Sequence, residues 1–232
     1  MKRILAISDI HGKFEEFMDL LEIVEYSAKQ DQLILLGDYT DRGADSKEVV
    51  EHVMDLVKNG AIALRGNHDQ MLLDWLETGE ADRFIRNGGL MTVKSYCGSN
   101  YEQEQLEEAR NMILKKFAVH VDFMSKLPYY HETEKYIFVH AGINPAYADW
   151  KETPEHEMIW IREVFFNYPT NVSKKIVFGH TSTIHLHESK EVWFAQDKIG
   201  IDGGCVYGHQ LNCLEISELG YKTYAVSSKI TG

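Results

Sequence analysis

The chain has 232 residues, 44% of them hydrophobic and 26% charged, which is the composition of an ordinary folded domain. Its formal net charge of −12 argues against broad binding to nucleic acid or to an anionic membrane surface. No apolar stretch approaches the length needed to cross a bilayer, and the start, MKRILAISDIHG, turns polar too early for a secretory signal. The three cysteines are too few for a disulfide framework, so we expect reduced thiols in a cytoplasmic protein.

The first third of the chain alternates short apolar runs with segments whose apolar residues recur at helical spacing. Phe14, Phe17, Leu21 and Val24, for example, return every three or four positions. We predict strands at 3–8, 32–37 and 61–66, and helices at 14–24, 45–57 and 70–76. This βαβαβα order is typical of an α/β core whose first strands are parallel.

In the middle of the chain the alternation of strands and helices gives way to a helical pattern. Residues 102–127 predict one long amphipathic helix, or two in series, and Pro128 marks the end. The acidic first half and the basic later part of this segment suit the helix dipole. Because no linker rich in Pro, Gly or Ser divides the chain, we interpret about 80–130 as a helical insertion into a single domain that spans 1–232.

Strands return after residue 135, which adds a β-rich half to the α/β start and predicts a mixed α/β (α+β) fold. They are predicted at 136–140, 175–180, 191–195, 198–202, 211–217 and 221–226. The last four are joined by short turns. This spacing predicts an antiparallel meander.

Polar residues cluster at the carboxyl ends of five predicted strands, and in an open α/β sheet such ends face one crevice. Asp, His and Asn together suit divalent ions of intermediate hardness, and the number of these residues fits two ions. We expect Mn²⁺, with Fe, Zn, Co or Ni as alternatives. In chain order the clusters are Asp9 and His11; Asp38, Asp41 and Arg42; Asn67 and His68; His140; and His180.

The ordered motifs DxHG, GDxxDRG, RGNHD, HAG and GH resemble those of the metallophosphoesterases. Within that group they are similar to the phosphoprotein phosphatases, and in particular to their bacterial and phage-lambda branch. The resemblance spans about residues 1–207. It implies a calcineurin-like metallophosphoesterase fold, in which two mixed β-sheets form a sandwich flanked by helices, with a helical cap over the site at about 80–130.

The resemblance also implies a role for each clustered residue. His68 would be the general acid and Asp41 its partner. Arg42 and Arg162 would bind the substrate phosphate together with Asn67; Arg162 lies in a Trp-x-Arg element within MIWIREVF. The implied metal ligands are Asp9 and His11 at the first ion, Asp38 as the bridge, and Asn67, His140 and His180 at the second. For Asp69 we predict a helix cap, with the helix starting at residue 70.

These roles describe a coherent reaction. Two cations lower the pKa of a bound water, so that a metal-bound hydroxide could attack phosphorus in line while arginines hold the equatorial oxygens. The alkoxide of a serine is a poor leaving group and needs a proton. The carboxylate of Asp41 would keep His68 charged and oriented to supply that proton.

Two substrates fit this chemistry. The first is a protein phosphorylated on serine or threonine; the second is diadenosine tetraphosphate, cleaved symmetrically, or a nucleotide cap on RNA. The segment GDYTDRG favours the protein phosphatases, because the tetraphosphate hydrolases usually carry another residue at the position of Asp41. We therefore predict a serine/threonine protein phosphatase. Segment 86–98 would shape its substrate site, and we expect neither a nucleic-acid groove nor an obligate regulatory subunit.

Overall fold

The computed structural model describes residues 2–229 and consists of four layers. Two five-stranded β-sheets pack face to face, and helices cover the outer face of each sheet. This architecture confirms the predicted sandwich of two mixed sheets. Residues 1 and 230–232 of the predicted single domain lie outside the described part of the chain. No helix among the described residues has both the length and the apolar character to span a bilayer.

The first sheet combines the parallel strands of the chain's start with an antiparallel hairpin from its end. β1, β2 and β3 are parallel to one another, as predicted, and β9 runs antiparallel to β1. In spatial order the strands are β10 (Gly220–Ser227), β9 (Gln210–Ser217), β1 (Arg3–Ile7), β2 (Asp31–Leu35) and β3 (Ile62–Ala63).

The second sheet has a parallel centre and antiparallel edges. β5, β6 and β8 are parallel to one another, while β4 and β7 pair antiparallel at the two sides. In spatial order the strands are β4 (Tyr130–Glu132), β5 (Tyr136–Val139), β6 (Lys175–Phe178), β8 (Lys198–Gly200) and β7 (Trp193–Phe194).

Side-chain alternation along the strands explains the layering. On β1, Ile4 and Ala6 belong to the apolar cluster between the two sheets, whereas Leu5 and Ile7 belong to the cluster under the helices. Phe138 and Val177 extend from the second sheet into the same inter-sheet cluster. Because both faces of the central strands are buried, these strands are continuous apolar runs in the sequence.

The helices form two unequal outer layers. α1, α2 and α3, with the insertion, cover the first sheet, and α8 and α9 cover the second. Segment 102–127 forms two helices in series, which meet at Phe117. The α-helices are α1 (Phe14–Ile23), α2 (Ser46–Lys58), α3 (Asn67–Thr78), α4 (Asp82–Arg86), α5 (Gly89–Cys97), α6 (Leu106–Lys116), α7 (Ala118–Ser125), α8 (Glu155–Trp160), α9 (Glu163–Phe166) and α10 (Thr183–His187).

The predicted meander of the last four strands is wrong. β7 and β8 form a hairpin in the second sheet, whereas β9 and β10 form a hairpin in the first. Between them residues 201–209 cross the sandwich through Gly203, Gly204 and a 3₁₀ turn at Cys205–Tyr207. Short turns predict which strands form hairpins, but they do not show which of the two sheets each hairpin joins.

Most of the insertion lies beside the site rather than over it. α5 and α7 pack on α2, while α4 and α7 pack on α3, so the insertion extends the core on the first sheet. Its short part from Arg83 to Thr92 reaches the residues at the strand ends. The three cysteines are free, as predicted.

A charged pair joins the beginnings of β1 and β2. Arg3 donates from Nε and Nη2 to the two carboxylate oxygens of Asp31, both at 2.9 Å, and the backbone N–H of Ser27 donates to the same carboxylate. Burial alone would raise the pKa of Asp31, but these hydrogen bonds hold it below its ordinary value of 3.8. The stabilisation is therefore complete above pH 3.8 and is lost as the pH falls through the lower, folded-state pKa.

We predict that Asp31→Asn lowers the free energy of unfolding near neutral pH by about 1.5–3 kcal/mol, the range for hydrogen bonds to a charged group. The deficit should shrink below pH 3.8, where the carboxylate of the parent protein also becomes protonated. Urea unfolding at a series of pH values measures both effects. Asp55→Asn, which removes an exposed pair with Lys58, is the control and should change nothing measurable. A deficit that is independent of pH would contradict the assignment.

Candidate active site

The predicted site residues meet at one edge of the sandwich. Most of them come directly after β1, β2 and β3 of the first sheet or after β5 and β6 of the second, and Arg162 lies between α8 and α9. The strands belong to two sheets rather than to one open sheet, but their carboxyl ends face the same cavity of about 310 Å³. The cavity is lined by Asp9, Asp38, Arg42, Asn67, His68, Asn87, Trp160, Arg162, His180, Ser182, Ile184, His185, Asp202, Tyr207 and His209.

The backbone of this site is strained. Eight described residues other than glycine have a left-handed backbone with positive φ, and six of them are predicted site residues. A left-handed conformation costs an L-residue roughly 1–2 kcal/mol, and such strain concentrates where function requires it. The six, with their φ values, are Asp9 (56°), His11 (47°), Asp38 (59°), Asp41 (71°), Arg42 (70°) and His180 (63°).

Asp38 lies at the centre of the cluster. Its Oδ1 accepts a hydrogen bond of 2.8 Å from the backbone N–H of His68 at the beginning of α3. Its Oδ2 lies 3.5 Å from Nε2 of His11 and 3.4 Å from Nε2 of His140. One carboxylate oxygen therefore lies near two imidazoles, and its role as a bridging ligand stays a prediction.

Hydrogen bonds orient these two imidazoles. Nδ1 of His11 donates to the carbonyl of Thr40, and Nδ1 of His140 donates to the carbonyl of Leu36, both at 2.8 Å. Because a carbonyl can only accept, Nδ1 carries a hydrogen in each ring and Nε2 points toward Asp38. This is the orientation in which histidine binds a metal through Nε2.

The charges of the site fit bound cations. Burial alone would lower the pKa of His140, but the carboxylates of Asp38 and Asp9 raise it to about 9. Nε2 of His140 lies 2.9 Å from Oδ1 of Asn67, and Nε2 of His180 is buried without a partner among the described residues. Potential ligand atoms of Asp38, His140 and His180 lie within 4.8 Å of one another. This donor set fits a divalent ion.

A second group of potential ligand atoms, also within 4.8 Å, comes from His11, Asp38 and His68. Asp9 does not belong to either group. Its Oδ2 accepts hydrogen bonds from the Ser8 hydroxyl and from the backbone N–H of His180. The two groups share Asp38, so the arrangement has room for two ions, and the role of Asp9 as a ligand stays a prediction.

His68, which belongs to the second of these groups, also forms a buried histidine–carboxylate pair with Asp41. Nδ1 of His68 donates to Oδ2 of Asp41 at 2.7 Å, and both side chains are almost fully buried. Thr92 of α5 donates from its hydroxyl to the other oxygen of Asp41 at 2.6 Å and accepts from the backbone N–H of Asp41 at 2.8 Å. Burial raises the pKa of Asp41, while the bonds from His68 and Thr92 act in the opposite direction. Segment 86–98 thus supports this pair.

Asp69 has a larger role than the predicted helix cap. α3 begins at Asn67 rather than at residue 70, which places Asp69 inside the first turn. Its carboxylate accepts hydrogen bonds of 2.9–3.0 Å from the backbone N–H groups of Gly66, Asp38 and Tyr39. It therefore caps α3 and also fixes the loop after β2 against the loop after β3.

Close packing explains two glycines of the motifs. A Cβ atom on Gly66 would collide with the carboxylate of Asp38. One on Gly179 would collide with Ser8 and with the carboxylate of Asp9. Each carboxylate thus lies so close to the neighbouring backbone that only glycine, which has no side chain, fits there.

Two predicted phosphate-binding arginines reach the cavity. Nη1 of Arg162 donates to the Thr181 hydroxyl at 3.4 Å. Nη1 of Arg42 lies 2.7 Å from Nε2 of His11, and its guanidinium lies 5.1 Å from the centre of the Tyr207 ring. The contact with Arg42 involves the same nitrogen of His11 that is predicted to bind an ion.

Asp202 is a site residue that was not predicted from the sequence. It is buried, lines the cavity and follows β8, so it occupies the same kind of position as the five predicted clusters. Burial and the neighbouring Asp9 and Asp38 carboxylates raise the pKa of Asp202 well above its ordinary value. The rule that polar residues collect after apolar strands would have found it, because KIGID ends in this residue.

A family model for calcineurin-like phosphoesterases matches residues 2–213 of the chain. The chain belongs to the calcineurin-like phosphoesterase family. The match confirms the resemblance carried by the ordered motifs. Together with the histidine and aspartate groups at the strand ends, it makes this edge of the phosphoesterase the metal-binding active-site candidate.

Two kinds of relative match this phosphoesterase over nearly its whole length. Serine/threonine-protein phosphatase 1 of Salmonella typhimurium is 26% identical over 93% of this chain and 92% of its own. The asymmetrical bis(5′-nucleosyl)-tetraphosphatase PrpE of Bacillus cereus is 29% identical over 92% of this chain and 90% of its own. The second relative is described as asymmetrical, whereas the alternative drawn from the sequence was symmetrical cleavage.

Solved structures share the fold. A candidate diadenosine tetraphosphatase aligns with a TM-score of 0.69 at 22% identity and covers 99% of this chain and 95% of its own. A protein serine/threonine phosphatase of Saccharomyces cerevisiae aligns with a TM-score of 0.63 at 17% identity, covering 100% of this chain and 81% of its own. At these identities the similarity concerns the fold alone.

We predict that Asp38→Asn lowers the bound metal from two ions per chain to at most one, because the neutral amide cannot bridge two cations. Elemental analysis after loading with Mn²⁺ and desalting gives the stoichiometry. Asp197→Asn, on the loop before β8 and away from the cavity, is the control and should keep the metal content of the parent protein. Two ions retained by Asp38→Asn would remove Asp38 from the bridging position.

Proposed function

We propose that this phosphoesterase is a metal-dependent phosphomonoesterase that acts on serine and threonine phosphoesters in proteins. The observation that carries the proposal is the buried pair of His68 and Asp41, joined at 2.7 Å. A serine or threonine alkoxide is a poor leaving group, so its departure needs a general acid within hydrogen-bonding reach. A phosphate that leaves a polyphosphate chain needs much less help of this kind.

The pair is built to donate a proton from one defined atom. Nδ1 of His68 is committed to Asp41, which leaves Nε2 as the atom that can face the leaving oxygen. The carboxylate of Asp41 orients the ring, and the Thr92 hydroxyl fixes that carboxylate in turn. Such positioned acids contribute roughly 10²–10⁴-fold to a rate.

The remaining polar residues bind and orient the phosphate. Arg42 and Arg162 are the two guanidiniums of the cavity, and each can hold phosphate oxygens in bidentate fashion. Asn67 would also contact the phosphate, and it would be a metal ligand as well. Bound divalent cations, held by Asp9, His11, Asp38, Asn67, His140 and His180, would activate the water nucleophile and offset the charge of the phosphate oxygens.

A second candidate function is the asymmetrical cleavage of bis(5′-nucleosyl) tetraphosphates. It is favoured by the relatives of that description, which match as much of the chain as the protein phosphatase does. Since the two identities, 26% and 29%, are nearly equal, the choice depends on the chemistry of the site. Manganese as the ion, a cytoplasmic location and the absence of an obligate regulatory subunit stay predictions.

The direct test compares kcat/KM for a phosphothreonine peptide and for diadenosine tetraphosphate, with Mn²⁺ and the same enzyme preparation. Preference for the peptide supports the protein phosphatase. Preference for the dinucleotide would overturn it, and the products then identify the reaction: asymmetrical cleavage releases ATP and AMP, whereas symmetrical cleavage releases two ADP molecules.

His68→Asn should reduce kcat on a phosphoserine peptide by roughly 10²–10⁴-fold, because the leaving alkoxide loses its proton donor. On p-nitrophenyl phosphate, whose leaving group needs little protonation, the loss should be roughly tenfold or less. Steady-state kinetics with both substrates measure the ratio. His187→Asn, at an exposed position whose ring contacts the Glu191 carbonyl, is the control and should leave both rates unchanged. Equal losses on the two substrates would refute the general acid.

A further inference from the structure

A second cavity of about 460 Å³ adjoins the catalytic cavity. Three residues, Arg42, Asn87 and Tyr207, line both, so the two spaces are neighbours. The second cavity adds Arg86, Gly88 and Val206, and no carboxylate of the described residues lines it. A substrate whose reacting phosphate occupies the first cavity and whose other end passes Arg42 would reach a positively charged space.

The end of α4 is fixed next to Arg42. The backbone N–H of Arg42 donates to the carbonyl of Gly88 at 3.2 Å, and a Cβ on Gly88 would run into the Arg42 side chain. In the middle of the helix, buried Phe84 stacks on Trp75 with ring centres 4.8 Å apart. These contacts place Arg86 at the mouth of the second cavity independently of any substrate.

The guanidinium of Arg86 has spare hydrogen-bonding capacity. Its Nε donates to the carbonyl of Asp82 at 3.2 Å, while its two terminal nitrogens have no protein partner among the described residues. Arg83, one turn earlier on α4, lies instead over the Trp160 ring at 4.2 Å. The protein has a net charge of −12, and Arg86 places a positive charge beside the catalytic cavity.

We propose that Arg86 and the second cavity bind a further anionic group of the substrate, covalently attached to the phosphate that reacts. This inference rests on the proposed phosphoesterase function and adds that the substrate has a second anionic group. A guanidinium with two free terminal nitrogens matches the two oxygens of a carboxylate or of a phosphate. The group could be an acidic or phosphorylated residue beside the phosphothreonine, or a neighbouring phosphate of a polyphosphate chain.

The test uses Arg86→Gln, which removes the charge and keeps much of the side-chain volume. Its control is Lys115→Gln, which removes one exposed positive charge on α6. Four substrates are compared with Mn²⁺: p-nitrophenyl phosphate, a phosphothreonine peptide with neutral neighbours, the same peptide with aspartates beside the phosphothreonine, and diadenosine tetraphosphate. KM and kcat are determined separately for each.

We expect Arg86→Gln to raise KM about tenfold for the substrates that carry the further anion, with kcat within about twofold of the parent protein. The other substrates and the Lys115→Gln protein should be unaffected. Arg86→Lys should recover part of the loss, and the effect should weaken at high salt because the contact is exposed.

The pattern of losses separates the two sources of the anion. A loss confined to the acidic peptide assigns the cavity to phosphoproteins. A loss confined to diadenosine tetraphosphate assigns it to a polyphosphate and argues against the protein substrate. A change of the same size on all four substrates, or on none, would overturn the inference.

Binding of inorganic tripolyphosphate, measured by calorimetry without divalent ions, tests anion binding by Arg86 without depending on catalysis. Its result can therefore be distinguished from a failure of the proposed function. If the parent protein hydrolysed none of the four substrates, the proposed function would fail. Weaker binding of tripolyphosphate to Arg86→Gln than to Lys115→Gln would still support the anion-binding cavity, whereas equal binding would exclude it.

Discussion

Hydrogen bonds that cross from one sheet to the other hold this active site together. Nδ1 of His140, at the end of β5, donates to the carbonyl of Leu36 after β2. The backbone N–H of His180, after β6, donates to the carboxylate of Asp9 after β1. Each sheet supplies only part of the predicted metal ligands, so neither sheet alone could form the site. These two contacts lock the halves together where the ligands converge.

The same region concentrates strain and the contacts that oppose it. Six site residues have left-handed backbones, and Asp69 accepts hydrogen bonds from three backbone N–H groups of the loops after β2 and β3. Burying the Asp69 carboxylate, together with the charge of Asp38, raises its pKa to about 6, in opposition to those hydrogen bonds. The loops are therefore held in their working shape before substrate arrives, which removes a reorganisation cost from the reaction.

Much of this could be predicted from the sequence, because apolar runs ending in Asp, His or Asn identify both the strands and the edge where they end. The parallel start of the first sheet and the positions of Asp38, His68 and His140 follow from that pattern. The change of sheet after β8 could not be predicted, since the short turns that indicate a hairpin do not show which sheet the hairpin joins. The role of Thr92 could not be predicted either, because its hydrogen bond to Asp41 joins positions that are 51 residues apart in the sequence.

The layer between the sheets has a consequence for the metals. Packed sheets lie roughly 10 Å apart, and here that spacing is filled by residues such as Leu36, Phe138 and Val177. Leu36 also provides the carbonyl that orients His140, so a change of side-chain volume in this layer would alter the separation of ligands contributed by opposite sheets. Selection for a different ion could therefore act through apolar residues that never contact the ion. The spacing of the two sheets would then set the distance between the metal ligands and so determine which ion fits.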